Sequence, residues 1–449
     1  MPQAVLRPRD TEDVVTALQW ANEKGAGIVP VSSTGRRRRG DTVPQQDNTV
    51  MLDLSGMNRL VHADGRDKIA IIEPGVNFGS IDKLLEPHGL RALRPLAPRA
   101  GKSVIASYLE REPLIAANDH WDVNDPFGGT NLVLGNGRVS PTGGAAAEGT
   151  LAEQLSHGHR QMSSVGPTHL DLLRVVQGSQ GSLAVMTWAA VYCERIPSQE
   201  AAWFCSAGTL APVLDLSRDL LHRRLGNALF IVDNLQLAML LARDGADCRS
   251  LAARLPAWTL FVSASAGRQQ PAVKMAWQTD AVRGCTAKYG VQLHDQLEGH
   301  RASDMIARLR QSEPVSFRDR PLGAHRELFF MHQLDRVESF VTLVKGTLAT
   351  AGIGDAPLGV YVQPMTQGVN CHIEFTLPYS PSSSTASRDA EAWQLAARRC
   401  AEAGAFFSRP YGRWLEFAYD RDTGNRSMMR MAKSILDPRN VMNPGRLPY

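Results

Sequence analysis

The chain of 449 residues lacks the marks of several large protein classes. It has six cysteines, Cys193, Cys205, Cys248, Cys285, Cys371 and Cys400, and no two form a CxxC pair. Iron–sulfur clusters and structural zinc sites therefore find no support. Cysteines so widely spread read as free buried thiols. No run of about 18 apolar residues occurs, so no membrane span is expected. The nearest candidate, 228–242, is interrupted by Asp233, Asn234 and Gln236 and reads as an amphipathic helix. Met1 to Arg9 has no apolar core of a secretory signal, which makes a cytoplasmic location the default expectation. The formal charge of +4 is too small for this length to point to nucleic acid. No GxGxxG opens a helix after the first strand, which argues against a Rossmann dinucleotide fold.

What is present suits a large folded enzyme. The apolar fraction is 43% and the charged fraction 21%, enough apolar side chain for a sizeable core. Asp10 or Thr11 caps an expected helix through Val14, Leu18 and Ala21 that stops at Gly25. Ile28 to Val31, Val50 to Leu54 and Ile69 to Glu73 have strand length and character. A second helix is expected over 78–86, closed by His88-Gly89. Residues 95–130, rich in Pro, Gly, Asn and Asp, read as loops. Asn131 to Leu134, Gly135-Asn136-Gly137 and Val139 form a hairpin pattern, and Leu183 to Val191 is a strong strand. Pro197-Ser198 marks a boundary. Beyond it, helices and strands mix up to about 407, with a Ser-rich loop over 380–387 and a helix from Ala390 capped by Asp389. A final helix from Met428 leads into a Pro/Gly-rich end.

Five segments, in order, resemble the FAD-dependent vanillyl-alcohol oxidase and p-cresol methylhydroxylase family. The first is Pro30-Val31-Ser32-Ser33-Thr34-Gly35-Arg36, a loop of small residues after a strand, where backbone N–H groups approach a diphosphate. The second is Glu73-Pro74-Gly75-Val76. The third is Gly101-Lys102-Ser103-Val104-Ile105, with Ser107 beyond. The fourth runs from Gly178 through Gly181 to Val185, with Ala184 at a position where the family has glycine. The fifth is Asp437-Pro438 to Asn443-Pro444-Gly445. The resemblance implies an α+β fold: a two-part, non-Rossmann FAD-binding domain made by both chain ends (1–200 and 408–449) around an α+β substrate cap (201–407). It implies FAD held by Pro30, Ser32, Ser33, Thr34, Gly35, Arg36, Pro74, Gly101, Ser103, Ser107, Gly178, Gly181, Val185 and Asn443. Family members usually carry an N-terminal lead that this chain lacks, so part of the flavin cradle is expected to be missing or supplied by a partner.

Flavin oxidation of an alcohol or phenol requires a proton acceptor and a positive group for developing negative charge. Counted back from Thr142-Gly143, Asp122 falls at the family's active-site aspartate. Arg409, in Ser408-Arg409-Pro410-Tyr411, matches the arginine of a Tyr-Arg pair that grips a phenolate. Ser408 stands for that tyrosine, and Phe78 for a second one. Asn370-Cys371-His372 resembles the N-x-H of 2-hydroxyacid flavoproteins, making His372 a third catalytic candidate. A covalent flavin link through Tyr411, His120 or His372 and non-covalent binding both stay open, and no metal site is expected. The reaction expected is hydride transfer from a small aromatic or anionic alcohol or phenol. A 2-hydroxyacid dehydrogenase and a non-catalytic or electron-transfer subunit are the alternatives. Expected partners are a small-molecule substrate, a cytochrome or another redox subunit, and further copies of the chain in a homo-oligomer.

The Arg36–Arg39 run should serve the cofactor or an acidic substrate, because it is short and has no interleaved aromatics. Labelled single-stranded and duplex DNA should therefore show no tight, salt-sensitive anisotropy change. Strong binding that weakens steeply with salt would contradict this assignment.

Overall fold

The computed structural model describes residues 2–448 apart from 37–38, 118–125, 167–170, 366–367, 383 and 385. The first unit forms as its caps dictate. Asp10 accepts the Asp13 amide at the start of helix Thr11–Lys24, and Gly25 ends it in the left-handed region at φ +62°. Val14, Leu18 and Ala21 face a three-stranded parallel sheet with the order Val5–Leu6, Thr49–Asp53, Gly27–Val31. The chain end completes this unit. Ile28 donates to Val441 and Asn443 donates back to Ile28, both at 2.7 Å. Buried Asp437 holds the return turn by accepting the Val441 and Met442 amides at 2.9 and 2.8 Å and pairing with Lys433.

An antiparallel sheet follows, in the order Leu60–Asp64, Ile69–Ile72, Ala184–Arg195, Phe127–Leu134, Val139–Thr142, with Leu90–Ala92 on the far end of Ala184–Arg195. The expected hairpin is there, with Gly137 at φ +80° in its turn. A seven-stranded antiparallel sheet comes next, in the order Gln292–His294, Gln199–Ala207, Trp258–Ala266, Leu229–Asp233, Gly359–Met365, Asn370–Pro378 and His325–Gln333, and Gln296–Leu297 pairs separately with His300–Arg301. Period-2 alternation gives its two faces different work. Ile231, Leu260, Val262, Val360, Val362, Ile373 and Phe375 pack on helices Ala211–His222, Pro271–Lys288, Val337–Thr350 and Ala386–Glu402. Residues of the opposite parity, including Phe230, Phe261 and Tyr361, join Leu96 and Ile115 of the N-terminal half in another cluster.

Several expectations need correction. Residues 228–242 are not one amphipathic helix but strand Leu229–Asp233 and a short helix, Asn234–Leu241. The β-branched and aromatic Leu-Phe-Ile-Val run pairs in the sheet, and Asp233 caps the turn into the helix. The helix expected over 78–86 shortens to Ile81–Leu85 plus a 3-10 turn, because Phe78 and Gly79 donate to Lys102 and Ala100. The loop region 95–130 contains helix Val104–Leu109, capped by Ser103. The helix expected from Ala390 begins at Ala386, placing Asp389 in its first turn, and the last helix begins at Thr423 under an Asp422 cap. All six cysteines are buried and free.

Asp233 carries a measurable consequence. Burial pushes its carboxyl up to about 7, against the backbone amides that favour the anion. The folded state then keeps a proton that the unfolded chain releases near 4. Stability from this group is present below pH 4 and is lost as pH rises through 7. Asp233→Asn keeps the cap and should flatten the denaturation midpoint between pH 4 and 7. An unchanged pH slope would show that Asp233 is ionised in the fold.

Candidate active site

A cleft runs along the junction of the two chain ends and the seven-stranded sheet, in two connected compartments of about 120 and 210 Å3. The inner one is lined by the N-terminal half and the C-terminal segment: Pro30, Ser32, Pro74, Ile105, Gly178, Gly181, Val185 and Tyr411. The outer one adds Ser33, Arg36, Arg39, Lys102 and Glu112 on one side and Arg318, Glu327, Tyr361 and Glu374 from the other. Arg409 lines both, as do Pro30, Ser32 and Glu110.

The inner wall is built from backbone. Gly178, Gln180 and Gly181 all have positive φ, at +75°, +52° and +71°. Left-handed turns of this kind turn backbone N–H groups toward an anion. A Cβ on Gly181 would lie 2.6 Å from Pro30 Cγ, so the two loops meet at van der Waals distance only because this residue is glycine. The remaining predicted cofactor residues form a layer behind the wall. Thr34 donates its amide to Gly101 at 2.8 Å, and a Cβ on Gly101 would strike Thr34. Ser33 Oγ accepts the Ser103 amide at 3.0 Å, and Ser103 Oγ donates to Pro74 at 2.6 Å. Ser107 donates to Glu112. Asn443 Nδ2 donates to Asp41 and Gln180 at 3.0 and 2.8 Å, tying the loop after Gly40 to the Gly178–Gly181 turn. Thr34, Gly35, Gly101, Ser103, Ser107 and Asn443 thus hold the lining residues in place and are not themselves part of the lining.

The outer compartment is lined by charge. The Arg39 guanidinium pairs with Glu110 at 2.9 Å, Glu112 at 3.1 Å and Glu327 at 3.5 Å, and lies over the rings of Phe329 and Tyr411. Lys102 pairs with Glu110. Burial would raise the Glu112 carboxyl, but Lys102, Arg39 and Arg409 hold it down at about 2. Arg409 is 4% exposed, lies over the Phe329 ring and is 3.9 Å from Glu112, yet its Nε and Nη1 have no hydrogen-bond partner among the described residues. Two carboxylates enter from the sheet, each backed by a histidine two residues earlier on the same strand face. Glu374 pairs with Arg318 and meets His372 Nε2 at 3.3 Å. Glu327 meets His325 at 3.1 Å, and Asp319 holds the other ring nitrogen at 2.7 Å.

The predicted catalytic residues fall differently. Arg409 is at the centre of the cleft. His372 lies behind the wall, stacked near Phe329 and Tyr361, and burial lowers it to about 4, against Glu374, so the imidazole is neutral at pH 7. Asp122 lies outside the described residues, as do His120, Arg37 and Arg38. Phe78 is not at the cleft: it packs in the N-terminal core under Arg94. Ser408 faces away, into a separate cavity. Their identities therefore say nothing about phenolate binding, while two phenols do line the cleft: Tyr411, a candidate already for a covalent flavin link, and Tyr361, which was not anticipated. Arg39 belongs to the run expected to serve the cofactor or an acidic substrate, whereas Lys102, Glu110, Glu112, Arg318, Glu327 and Glu374 were missed as site residues. The one sequence signal for the strand pairs was His-x-Glu, repeated at 325–327 and 372–374.

The donor set suits a dinucleotide flavin: a glycine-walled slot that a Cβ would fill, a buried arginine with open donors at its junction, and an apolar inner compartment. Comparisons agree. Residues 2–106 match the family described as FAD binding domain. The mitochondrial cytochrome-dependent D-lactate dehydrogenase of Arabidopsis thaliana is 27% identical over 48% of this chain. Glycolate oxidase subunit GlcD of Bacillus subtilis is 28% identical over 44%. These matches span only 35% and 38% of the relatives' own lengths. The solved structure of p-cresol methylhydroxylase with substrate bound superposes with a TM-score of 0.81 at 17% identity, covering 98% of this chain and 88% of that one. Fold and site define a flavoprotein whose cofactor is FAD. Residues 2–106 are thus an FAD-binding domain, and the chain as a whole has the p-cresol methylhydroxylase type of fold.

Gly181→Val tests the slot. The backbone is left-handed there and the added carbon meets Pro30, so FAD content per protein should drop severalfold, with secondary structure by circular dichroism unchanged. A variant with full flavin would place the cofactor elsewhere.

Proposed function

We propose that the protein is an FAD-dependent oxidase or dehydrogenase that takes a hydride from a small alcohol or phenol, aromatic or anionic in character. One observation carries this reading: Arg409 is buried at the junction of the two compartments with two donors that no group among the described residues satisfies. A buried guanidinium with open donors suits a carboxylate or a phenolate. When bound, FAD supplies the two-electron acceptor. The chain's own part is to hold the substrate anion at Arg409 and to take up the substrate's hydroxyl proton. Asp122 is proposed as that acceptor from the N-terminal half. His372, neutral and in contact with Glu374 at the cleft wall, is proposed to accept or pass on the proton from the sheet side. Arg39 and Arg318 keep the neighbouring carboxylates ionised and in place.

A 2-hydroxyacid substrate is the second reading, favoured by the same Arg409 and by the similarity to a D-lactate dehydrogenase and a glycolate oxidase subunit. The domain limits proposed are 1–200 and 408–449 for the flavin half and 201–407 for the cap, with a cytochrome or other redox subunit as candidate electron acceptor.

Anaerobic stopped flow, following flavin bleaching by 4-alkylphenols, benzylic alcohols and 2-hydroxyacids in parallel, identifies the class. Arg409→Met should slow reduction by the anionic substrates most. Asp122→Asn should slow it about 10²–10⁴-fold per bound flavin if it is the base. Both variants should keep their FAD. Unchanged rates in both would remove these assignments, and no bleaching by any of the three classes would count against the substrate reading.

A further inference from the structure

A surface helix ordinarily turns its apolar stripe inward and its charges outward. Helix Thr423–Leu436 does much the reverse. Two of its cations are drawn in. Lys433 donates to the Ser182 and Met442 carbonyls at 2.7 and 2.9 Å and pairs with buried Asp437. Arg426 donates to the Pro448 carbonyl at 2.7 Å. Met429 and Leu436 pack on the core of the N-terminal half. These contacts fix the rotation of the helix about its axis. They leave Met428, Met431 and Ile435 outside, 60%, 50% and 69% exposed.

The outward positions recur at steps of three and four: Gly424, Ser427, Met428, Met431, Ser434 and Ile435, all exposed. None is charged, and Arg430, an exposed cation of the helix, lies on its flank. Such a face has the composition of an interface core, where charge is depleted and Met enriched. It is also its own complement. Laid antiparallel on a copy of itself with Met431 at the two-fold axis, it sets large against small. Met428 then falls opposite the copy's Ser434, and Ile435 opposite its Ser427. A parallel pair would set Met428 on Met428 and Ser427 on Ser427, and leave gaps. The ends suit the antiparallel arrangement too. Exposed Arg439 follows the helix, and Asp420 and Asp422 precede it on either side of Arg421, with one Asp420 oxygen held by Arg426. Antiparallel packing brings Arg439 of one copy toward the end that carries both aspartates in the other, and it opposes the two helix dipoles favourably. A bilayer is a poorer occupant. Helices that lie on anionic lipid keep their cations along the rim, whereas Arg426 and Lys433 are held by the protein.

We propose that this face pairs with the same face of a second copy of the chain, as an isologous antiparallel helix pair with its axis at Met431. The pairing does not depend on which substrate the flavin oxidises, since none of the six residues lines the cleft.

Sedimentation velocity of the FAD-loaded protein at micromolar concentration should show a dimer. Met431→Glu sets two carboxylates at the axis and should give a monomer, a twofold fall in mass, with FAD content and circular dichroism unchanged. Because the native cysteines are buried, a new surface thiol can be read by itself. Met431→Cys should cross-link into a covalent dimer on mild oxidation. Met428→Cys should not, because its two copies lie about 9 Å apart along the helices, beyond disulfide reach. A monomeric wild type, or a dimer that survives Met431→Glu, would overturn the proposal. So would equal cross-linking of Met428→Cys and Met431→Cys, since the helices would then lie parallel. Flotation of the wild type with phosphatidylglycerol vesicles, lost in Met431→Glu, would overturn it in favour of a membrane.

Discussion

The cleft depends on the neutralisation of buried charge. A guanidinium taken out of water needs opposite charge at close range, or the burial is too costly to sustain. Arg39 finds it in Glu110 and Glu112 on the N-terminal half and in Glu327 on the seven-stranded sheet. One cation therefore spans the junction between the two sides of the cleft. Lys102 and Arg409 add positive charge beside the same carboxylates, and Glu112 stays ionised despite its burial. Because the Arg39–Glu327 pair bridges elements far apart in the chain, the position of the seven-stranded sheet against the N-terminal half and the electrostatics of the cleft are set by the same contacts.

The slot itself depends on close backbone approach. Gly178 and Gly181 reach left-handed conformations without a Cβ penalty, and Gly181 leaves room for Pro30. That approach is held from the far end of the chain, where Asn443 spans from Gln180 to Asp41 and Arg446 donates to Gln180 Oε1 at 2.7 Å and to Gly40 at 3.1 Å. The C-terminal segment is thus a structural part of the inner compartment, and its Asp437 turn, with two backbone amides and Lys433 on one carboxylate, keeps it in register with Ile28.

The sheet contributes by alternation. His372, Glu374 and Tyr361 share the face toward the cleft, while Ile373, Phe375, Val360 and Val362 fill the core behind it. Antiparallel pairing of Asn370–Pro378 with both Gly359–Met365 and His325–Gln333 then brings two His-x-Glu pairs to one wall. Each histidine is buried beside its carboxylate, so both side chains are oriented before any ligand arrives.

What the sequence determined by itself is local. The Asp10 and Gly25 caps, the Gly137 hairpin turn, the glycine-walled loops and the Asp437–Gly445 return are encoded within a few residues of one another, and their side-chain chemistry leaves little choice of conformation. Those motifs sufficed to anticipate the FAD fold. The charged outer compartment was illegible for the opposite reason. Glu110, Glu112, Glu327 and Glu374 look like ordinary surface carboxylates until pairing across long sequence distances buries them against Arg39 and Arg318. Phe78 and Ser408 erred in the same way: alignment by spacing put them at the cleft, but hydrogen bonding of the Phe78 backbone to Lys102 and alternation at 408–410 turn them elsewhere. Burial and direction are properties of packed neighbours, and only the tertiary structure decides which neighbours a side chain has.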